Sequence, residues 1–535
     1  MACALTGAGR AAHAEMPRRP LPAVLVTLAC VLTGAPASAA APLPLGPATL
    51  TEARTVRTLA PGVTLTDIVR GVPSPRETFV VDAGFTLAPA EAAQTAAQAR
   101  SLGFDASVLQ VDATVPDGPP RGPAAYVARI GRFAGEAAAA DAAARLAAAH
   151  VPDPQVDFTG EDGTALTAGP WRVHVLDIHP RRLRGTVRPV LANGVVRGRE
   201  TVAAIDRRTH AVAGLNGGYF VTGPGDGTPG DLAGISVVGG ELLSEAVDGR
   251  TSLVLPRSTG AGARIEALST TLRARSSDSA ARLVDGRNRH VALIRACGGR
   301  GGDRPTTRPL HDVTCTDPSE LVQLTRRFGR TTPAGARVEA VVDRAGRVRA
   351  LRSRRGAIPR RGFVLAGTGD GATWLRRHAR PGRRVRVSVR VRRDRKRGGA
   401  LALRPGVGVV NGGPRLLRAG AQQVTAAAEG FTHPGDPEFY YRFGVRRSPR
   451  TIAGVTAAGH LLLVAADGRA PGYSVGLSFL EEAAVMRALG ASDAVNLDGG
   501  GSTTMAIGAT TITRPSDPTG ERPVGDAVVI TARRR

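Results

Sequence analysis

The residues with the most chemical content lie near the C-terminus, in Asn496-Leu497-Asp498-Gly499-Gly500-Gly501-Ser502-Thr503. An apolar run ends there in a carboxylate, three glycines and two hydroxyls. Consecutive glycines let backbone N–H groups converge on an anion, and Ser502 and Thr503 add donors. Asp498 is therefore a candidate base or nucleophile, with Gly499, Gly500, Gly501, Ser502 and Thr503 as a candidate anion cradle. Upstream, two arginines stand beside turns, in Ser448-Pro449-Arg450-Thr451 and Asp467-Gly468-Arg469. If Arg450 and Arg469 reach the same place as Asp498, a phosphate accounts for all of them, because planar guanidinium donors match its oxygens. Asp467 is a second carboxylate, although an Asp before Gly equally well bonds its own turn. Two further segments, Asn216-Gly217-Gly218-Tyr219 and Asn411-Gly412-Gly413, each read alone as a tight hairpin turn.

These groups need elements to hold them. Ser478 and Glu481 form a capping box that predicts a helix over 478–489, stopped by Gly490. Residues 494–497 read as a buried strand, so Asp498 begins a polar loop at a strand end, where function concentrates. Arg450 precedes a strand pair that turns at Gly459 and returns over 461–465. From residue 171 onward the text is mostly strands and glycine turns with few helices.

The N-terminal third carries a repeat. Strand, Ala-rich helix and strand are expected over 79–85, 89–102 and 108–111, and again over 126–130, 136–149 and 155–158. Phe85 and Phe133 head corresponding turns, and the two units predict a small sheet with both helices on one face. The opening of the second copy, Tyr126-Val127-Ala128-Arg129-Ile130-Gly131-Arg132-Phe133, resembles the SPOR domain. That resemblance implies binding of peptidoglycan glycan strands by residues 76–162. Residues 41–75 are Pro/Ala/Thr-rich and read as a linker. The expected class is α+β: a small βαβ-repeat domain, then a larger mixed-sheet domain over 165–535.

In combination, Pro449-Arg450-Thr451, Asp467-Gly468-Arg469, the 496–502 run and Glu521-Arg522-Pro523-Val524 resemble the phosphodiester glycosidase family. Asn216-Gly217-Gly218-Tyr219-Phe220 and Asn411-Gly412-Gly413-Pro414 fall in the family's order. The chain departs at Ser448, where the family often has His, and through a divergent stretch over 255–400. The resemblance implies hydrolysis of a sugar-1-phosphodiester at the sugar–oxygen bond. The residues suit that chemistry: a phosphate leaves with little general-acid help, so one carboxylate and strong anion stabilisation suffice. On this reading Asp498 acts at the anomeric centre, with Asp467 and Asn216 assisting. Arg450, Thr451, Arg469, Asn411, Asn496 and the 499–503 loop bind phosphate or orient hydroxyls. No cofactor is required, and a structural Ca²⁺ held by carboxylates and carbonyls stays open. Two-metal phosphodiester cleavage would want clustered His and Asp, whereas the 10 histidines are scattered.

Charge and export complete the reading. The formal net charge is +26, but the chain has a single lysine, Lys396, so the excess is arginine in an Ala/Gly/Pro-rich composition. Over 383–397, Val385, Val387, Val389 and Val391 alternate with Arg384, Arg386, Arg390 and Arg392, a period of two. That predicts a half-buried strand with a solvated face, or a dock for an anionic wall polymer. No aromatics interleave, which counts against nucleic acid. Residues 1–40 read as an export signal: Arg18 and Arg19, an apolar run over 21–32, then Ala37-Ser38-Ala39. The run is shorter than the ~20 residues of a membrane span, so a secreted or cell-envelope protein without a transmembrane anchor is expected. There, Cys297 and Cys315 form a disulfide, worth ~3 kcal/mol. A zinc site with His311 lacks Cys-x-x-Cys spacing and a fourth ligand. The alternative to an enzyme is a non-catalytic wall-glycan binder. A shared pocket for Asp498, Arg450 and Asn216 would favour the enzyme.

Overall fold

The computed structural model describes residues 41–118, 125–247, 249–298, 309–394 and 398–532. The expected export signal and Lys396 lie outside them. Among the described residues no helix is long and apolar enough to cross a membrane.

An eight-stranded antiparallel sheet forms the frame. Its order is Glu52–Ala60, Val63–Arg70, Trp171–Ile178, Leu461–Ala466, Arg450–Thr456, Ala491–Asn496, Arg415–Arg418 and Ala421–Gln422. The central strands are apolar at nearly every position because both faces are covered. Leu461–Ala466 is buried throughout. On one face lies the helix Phe479–Ala488, whose expected capping box is present. On the other lies a five-stranded sheet that includes Ala213–Asn216, Met505–Ile507 and Asp526–Ala532. Leu176, Leu463, Val495, Leu215, Met505 and Val528 join the two sheets in one core, each such side chain contributing about 1.5–3 kcal/mol. The mixed α+β class with few helices is thus the observed one.

Residues 41–75 are not a linker. They carry two strands of the frame, and Leu43 and Leu45 are fully buried in the same core as Trp171. Within Val63–Arg70, Val63, Leu65 and Ile68 point inward. The Thr-rich composition that suggested a tether suits a strand equally well. Arg70 seals the end, donating from Nε to Leu45 O (2.7 Å) and from Nη2 to Pro47 O (3.0 Å).

The expected repeat is present. Phe79–Thr86, Pro89–Ser101 and Ala106–Val111 are followed by Ala125–Phe133, Glu136–Ala148 and Gln155–Phe158. The four strands pair antiparallel, and both helices share one apolar cluster through Ala96, Ala99, Ala139 and Leu146. The opposite sheet face is covered: Val111, Ala125 and Val127 pack on Tyr441 and Val445, and Phe85 lies 5.6 Å from the Tyr441 ring. The whole unit is inserted between two neighbouring strands of the frame, Val63–Arg70 and Trp171–Ile178.

The stretch 255–400 contributes strands to a seven-stranded, a five-stranded and a two-stranded sheet, and adds the helix Gly369–His378. The basic strand is Val385–Arg393, paired with Arg264–Ser276. Its valines are buried or half-buried, and Arg386, Arg390 and Arg392 are exposed.

Candidate active site

The loop after Ala491–Asn496 is shaped by two backbone bonds to the neighbouring strand. Leu497 N–H donates to Thr451 O, and Gly500 N–H donates to Pro449 O (both 2.8 Å). Gly500, at φ +58, then turns the chain into a short 3₁₀ segment, Gly500–Ser502. A cavity of about 310 Å³ opens over this loop, lined by Asp498, Gly499, Gly500, Gly501 and Ser502. Burial pushes the Asp498 carboxyl up to about 7. Ser502, Arg522 and the Gly499 N–H pull the other way without winning, and Asp312 adds to the rise. The glycines are not a bare nest of amides. Gly500 and Ser502 donate within the chain, and Thr503 N–H donates to Gly500 O. Their smallness matters more: a Cβ at Gly501 would stand 2.2 Å from the Arg522 guanidinium.

Neither Asn-Gly segment is a hairpin. The asparagines end strands that pair with distant partners, and their side chains brace the site from beneath. Asn216 is fully buried; its Nδ2 donates to Asp498 O (2.7 Å), while its Oδ1 accepts from Thr451 Oγ1 (2.7 Å) and Thr504 N–H (3.1 Å). Asn411 Oδ1 accepts from Tyr219 N–H (2.8 Å), and Asn496 Nδ2 donates to the Tyr219 hydroxyl (2.7 Å). Tyr219 in turn lines the cavity. Thr451 and Thr503, 3.4 Å apart through their hydroxyls, are buried beside Asn216. These five residues hold the loop and the Tyr219 ring and do not line the cavity.

Asp467 is elsewhere. It is buried, accepting from Arg514 N–H (2.9 Å) and lying 3.3 Å from His174 Nε2. His174 Nδ1 reaches Asp67 at 2.7 Å. Between these carboxylates the imidazole is raised to about 9 despite burial. Asp467 is therefore one end of a charged chain inside the frame, away from the cavity. Its position at a strand end left the direction of its side chain undetermined.

The two arginines differ. Arg450 borders the cavity but is 2% exposed. Its Nε donates to Leu477 O (2.9 Å), its Nη2 to Phe443 O (2.6 Å), and its guanidinium lies 3.1 Å from Glu482. Burial raises Glu482 to about 8 even beside that cation. Arg469, in a left-handed turn, makes one long bond to Ser448 Oγ (3.5 Å) and hangs over Gly500. Its guanidinium borders the cavity with most of its donors unspent.

Four more groups enter the cavity that the motifs did not single out for it: Arg295, Asp312, Arg442 and Arg522. Arg522 is held by Asp517 (2.7 Å) and lies in the quoted Glu521-Arg522-Pro523-Val524 segment, which was its available signal. Arg295 and Asp312, paired with each other, flank the Cys297–Cys315 disulfide, whose Cα atoms are 5.9 Å apart. The disulfide replaces the zinc alternative and anchors the middle region at the cavity rim. Among the described residues no three His, Cys, Asp or Glu side chains gather as metal ligands.

Residues 336–531 match the sequence model of the phosphodiester glycosidase family. The chain therefore carries a domain of that family over this segment. It is also similar, at 36% identity, to a solved protein from Burkholderia pseudomallei K96243 described provisionally as exported. That match has a TM-score of 0.82 and covers 92% of this chain and 98% of that one. A hypothetical protein from Synechocystis shares the fold at 16% identity and a TM-score of 0.53, covering 91% of this chain and 80% of its own. No curated protein matches the chain. The phosphodiester glycosidase match spans the loop of Asp498, both predicted arginines and Arg522, while Asn216 and the cysteines fall before it.

Proposed function

We propose that this phosphodiester glycosidase family member hydrolyses a sugar-1-phosphodiester at the sugar–oxygen bond, releasing free sugar and a phosphomonoester. The observation that carries the reading is a carboxyl group poised near neutrality, Asp498, in one cavity with the open guanidinium of Arg469. As the C1–O bond lengthens, negative charge gathers on the phosphate. Arg469 neutralises it with donors already in place, the preorganised stabilisation that lowers such barriers most. Ionised Asp498 attacks the anomeric carbon or takes a proton from the attacking water. Arg442 and Arg295, tied to Asp157 and Asp312, add positive potential at the rim. No metal enters this scheme. Residues 1–40, the disulfide and the exported relative support action outside the cytoplasm, and the substrate proposed there is an envelope or exopolysaccharide phosphodiester.

Hydrolysis in ¹⁸O-labelled water tests the bond. Label in the sugar, with activity retained in excess chelator, is expected; label in the phosphate would overturn the reading. Asp498 must be ionised, so kcat/KM is expected to fall about tenfold per pH unit below its midpoint near 7. A flat profile from pH 5 to 8 would remove Asp498 from the chemistry. Reduction of Cys297–Cys315 releases the segment that positions Arg295 and Asp312, and KM is expected to rise about tenfold. Unchanged kinetics after complete thiol labelling would place that segment outside substrate binding. Asp498 and Arg450 share the cavity, whereas Asn216 lies beneath it, so the shared-pocket criterion is met only in part. The near-neutral Asp498 carboxyl is what favours an enzyme over a glycan-binding protein.

A further inference from the structure

Arg442 and Arg469 border more than the cavity of Asp498. Together with Ser448 they also line a second cavity of about 380 Å³, whose far wall belongs to the inserted N-terminal domain. That wall is the strand Gln155–Phe158 and the turn Thr159–Glu161. Along the cleft the order is Asp498, then Arg469 and Arg442, then Asp157 and Glu161. If phosphate sits at the arginines and the anomeric carbon at Asp498, the alcohol half of the diester extends past the arginines toward the domain wall.

The wall's chemistry indicates what that half is. Asp157 pairs with Arg446 (3.0 Å) and Arg442 (3.3 Å), and Glu161 faces Arg446 at 3.7 Å. Glu136 and Gln155 add polar groups, and Phe79 and Phe158, 5.3 Å apart, add an apolar patch. Four arginines share the cavity with three carboxylates. Arg442 and Arg446 are already paired with Asp157 and Arg447 with Glu481, so a second phosphate would have to break ion pairs to bind. A hydrocarbon would strip water from ion pairs and return nothing. Hydroxyls donate to the carboxylates and accept from the guanidinium groups without adding charge.

We propose that this second cavity is a subsite for the leaving alcohol of the phosphodiester, and that it takes a neutral, hydroxyl-rich group, a sugar or polyol. The proposal rests on the hydrolytic reading above for the direction of the cleft. It makes the N-terminal domain part of the substrate site.

The test is binding of two non-hydrolysable phosphonate analogues by calorimetry, one with a methyl and one with a glycosyl aglycone, to the full chain. The glycosyl analogue is expected to bind about tenfold more tightly. Glu161→Gln and Gln155→Ala are expected to erase most of that difference. Gln155 bonds only its neighbour Asp153 (2.6 Å), so its variant tests the wall without threatening the fold. Equal affinities for the two analogues, or variants that keep the full difference, would overturn the subsite. Sugar release from the matching diesters is measured in parallel. Its failure with the affinity difference intact would count against the hydrolytic reading alone.

Discussion

Asp498→Asn is expected to abolish sugar release from a sugar-1-phosphodiester, with kcat down about 10³-fold or more, while the protein stays folded. The substitution keeps size and shape, and the backbone bonds that shape the loop do not involve the carboxyl group. Asn216 still reaches residue 498 O (2.7 Å), and Leu497 still pairs with Thr451. What disappears is the ionised oxygen at the cavity floor. The stability consequence has the opposite sign. A carboxyl raised from 3.8 to about 7 costs folding energy as pH rises through that interval, because the folded state resists ionisation. Above pH 7 the amide removes that cost, so the variant is expected to melt no lower than the parent at pH 8. A folded variant with full activity would show that Asp498 serves only the loop.

Arg450→Ala and Arg469→Ala are expected to part company, although both arginines stand beside turns in the sequence. Removing Arg450 deletes its bonds to three carbonyls, of Leu477, Phe443 and Arg446, and leaves Glu482 buried opposite nothing, which costs about 3–5 kcal/mol. Glu482 softens this by staying protonated, so the loss deepens as pH rises past its raised midpoint. Removing Arg469 touches one long bond at 3.5 Å. Its melting temperature should hold while KM for the diester rises about tenfold or more. Thermal melts and steady-state kinetics on the two variants separate the cases. Equal melting temperatures would refute the structural role of Arg450, and an unchanged KM would refute the ligand role of Arg469.

That contrast marks how far sequence carries. The capped helix, the strand pair around Gly459 and the Ala-rich repeat were legible because each is set by local signals: a cap, a glycine turn, a period. The convergence of Asp498 with two arginines was legible as a set of residue types. Which arginine keeps its donors for the cavity was not, since that depends on whether Leu477 and Phe443 carbonyls consume them. Asp467 misled for a related reason: a strand-end side chain can face either layer, and His174 lay 293 positions away. The strands hidden in residues 41–75 had no apolar run to announce them, because their outer faces are Thr and Arg. Arg295 and Asp312 could be placed only by the pairing that surrounds the disulfide.

The inserted domain leaves the frame and returns to it at adjacent strands, with Val72 N–H donating to Ala168 O (3.0 Å) across its base. Topologically it is an ornament on a hairpin. The register of the two flanking strands is set by their own eight paired positions, from Val63↔Ile178 to Arg70↔Trp171. Such a base lets a lineage exchange the whole cassette without disturbing the sheet beneath it. On the subsite proposed above, each exchange would change which alcohol leaves, and it would also have to supply new partners for Arg442 and Arg446, which Asp157 now holds.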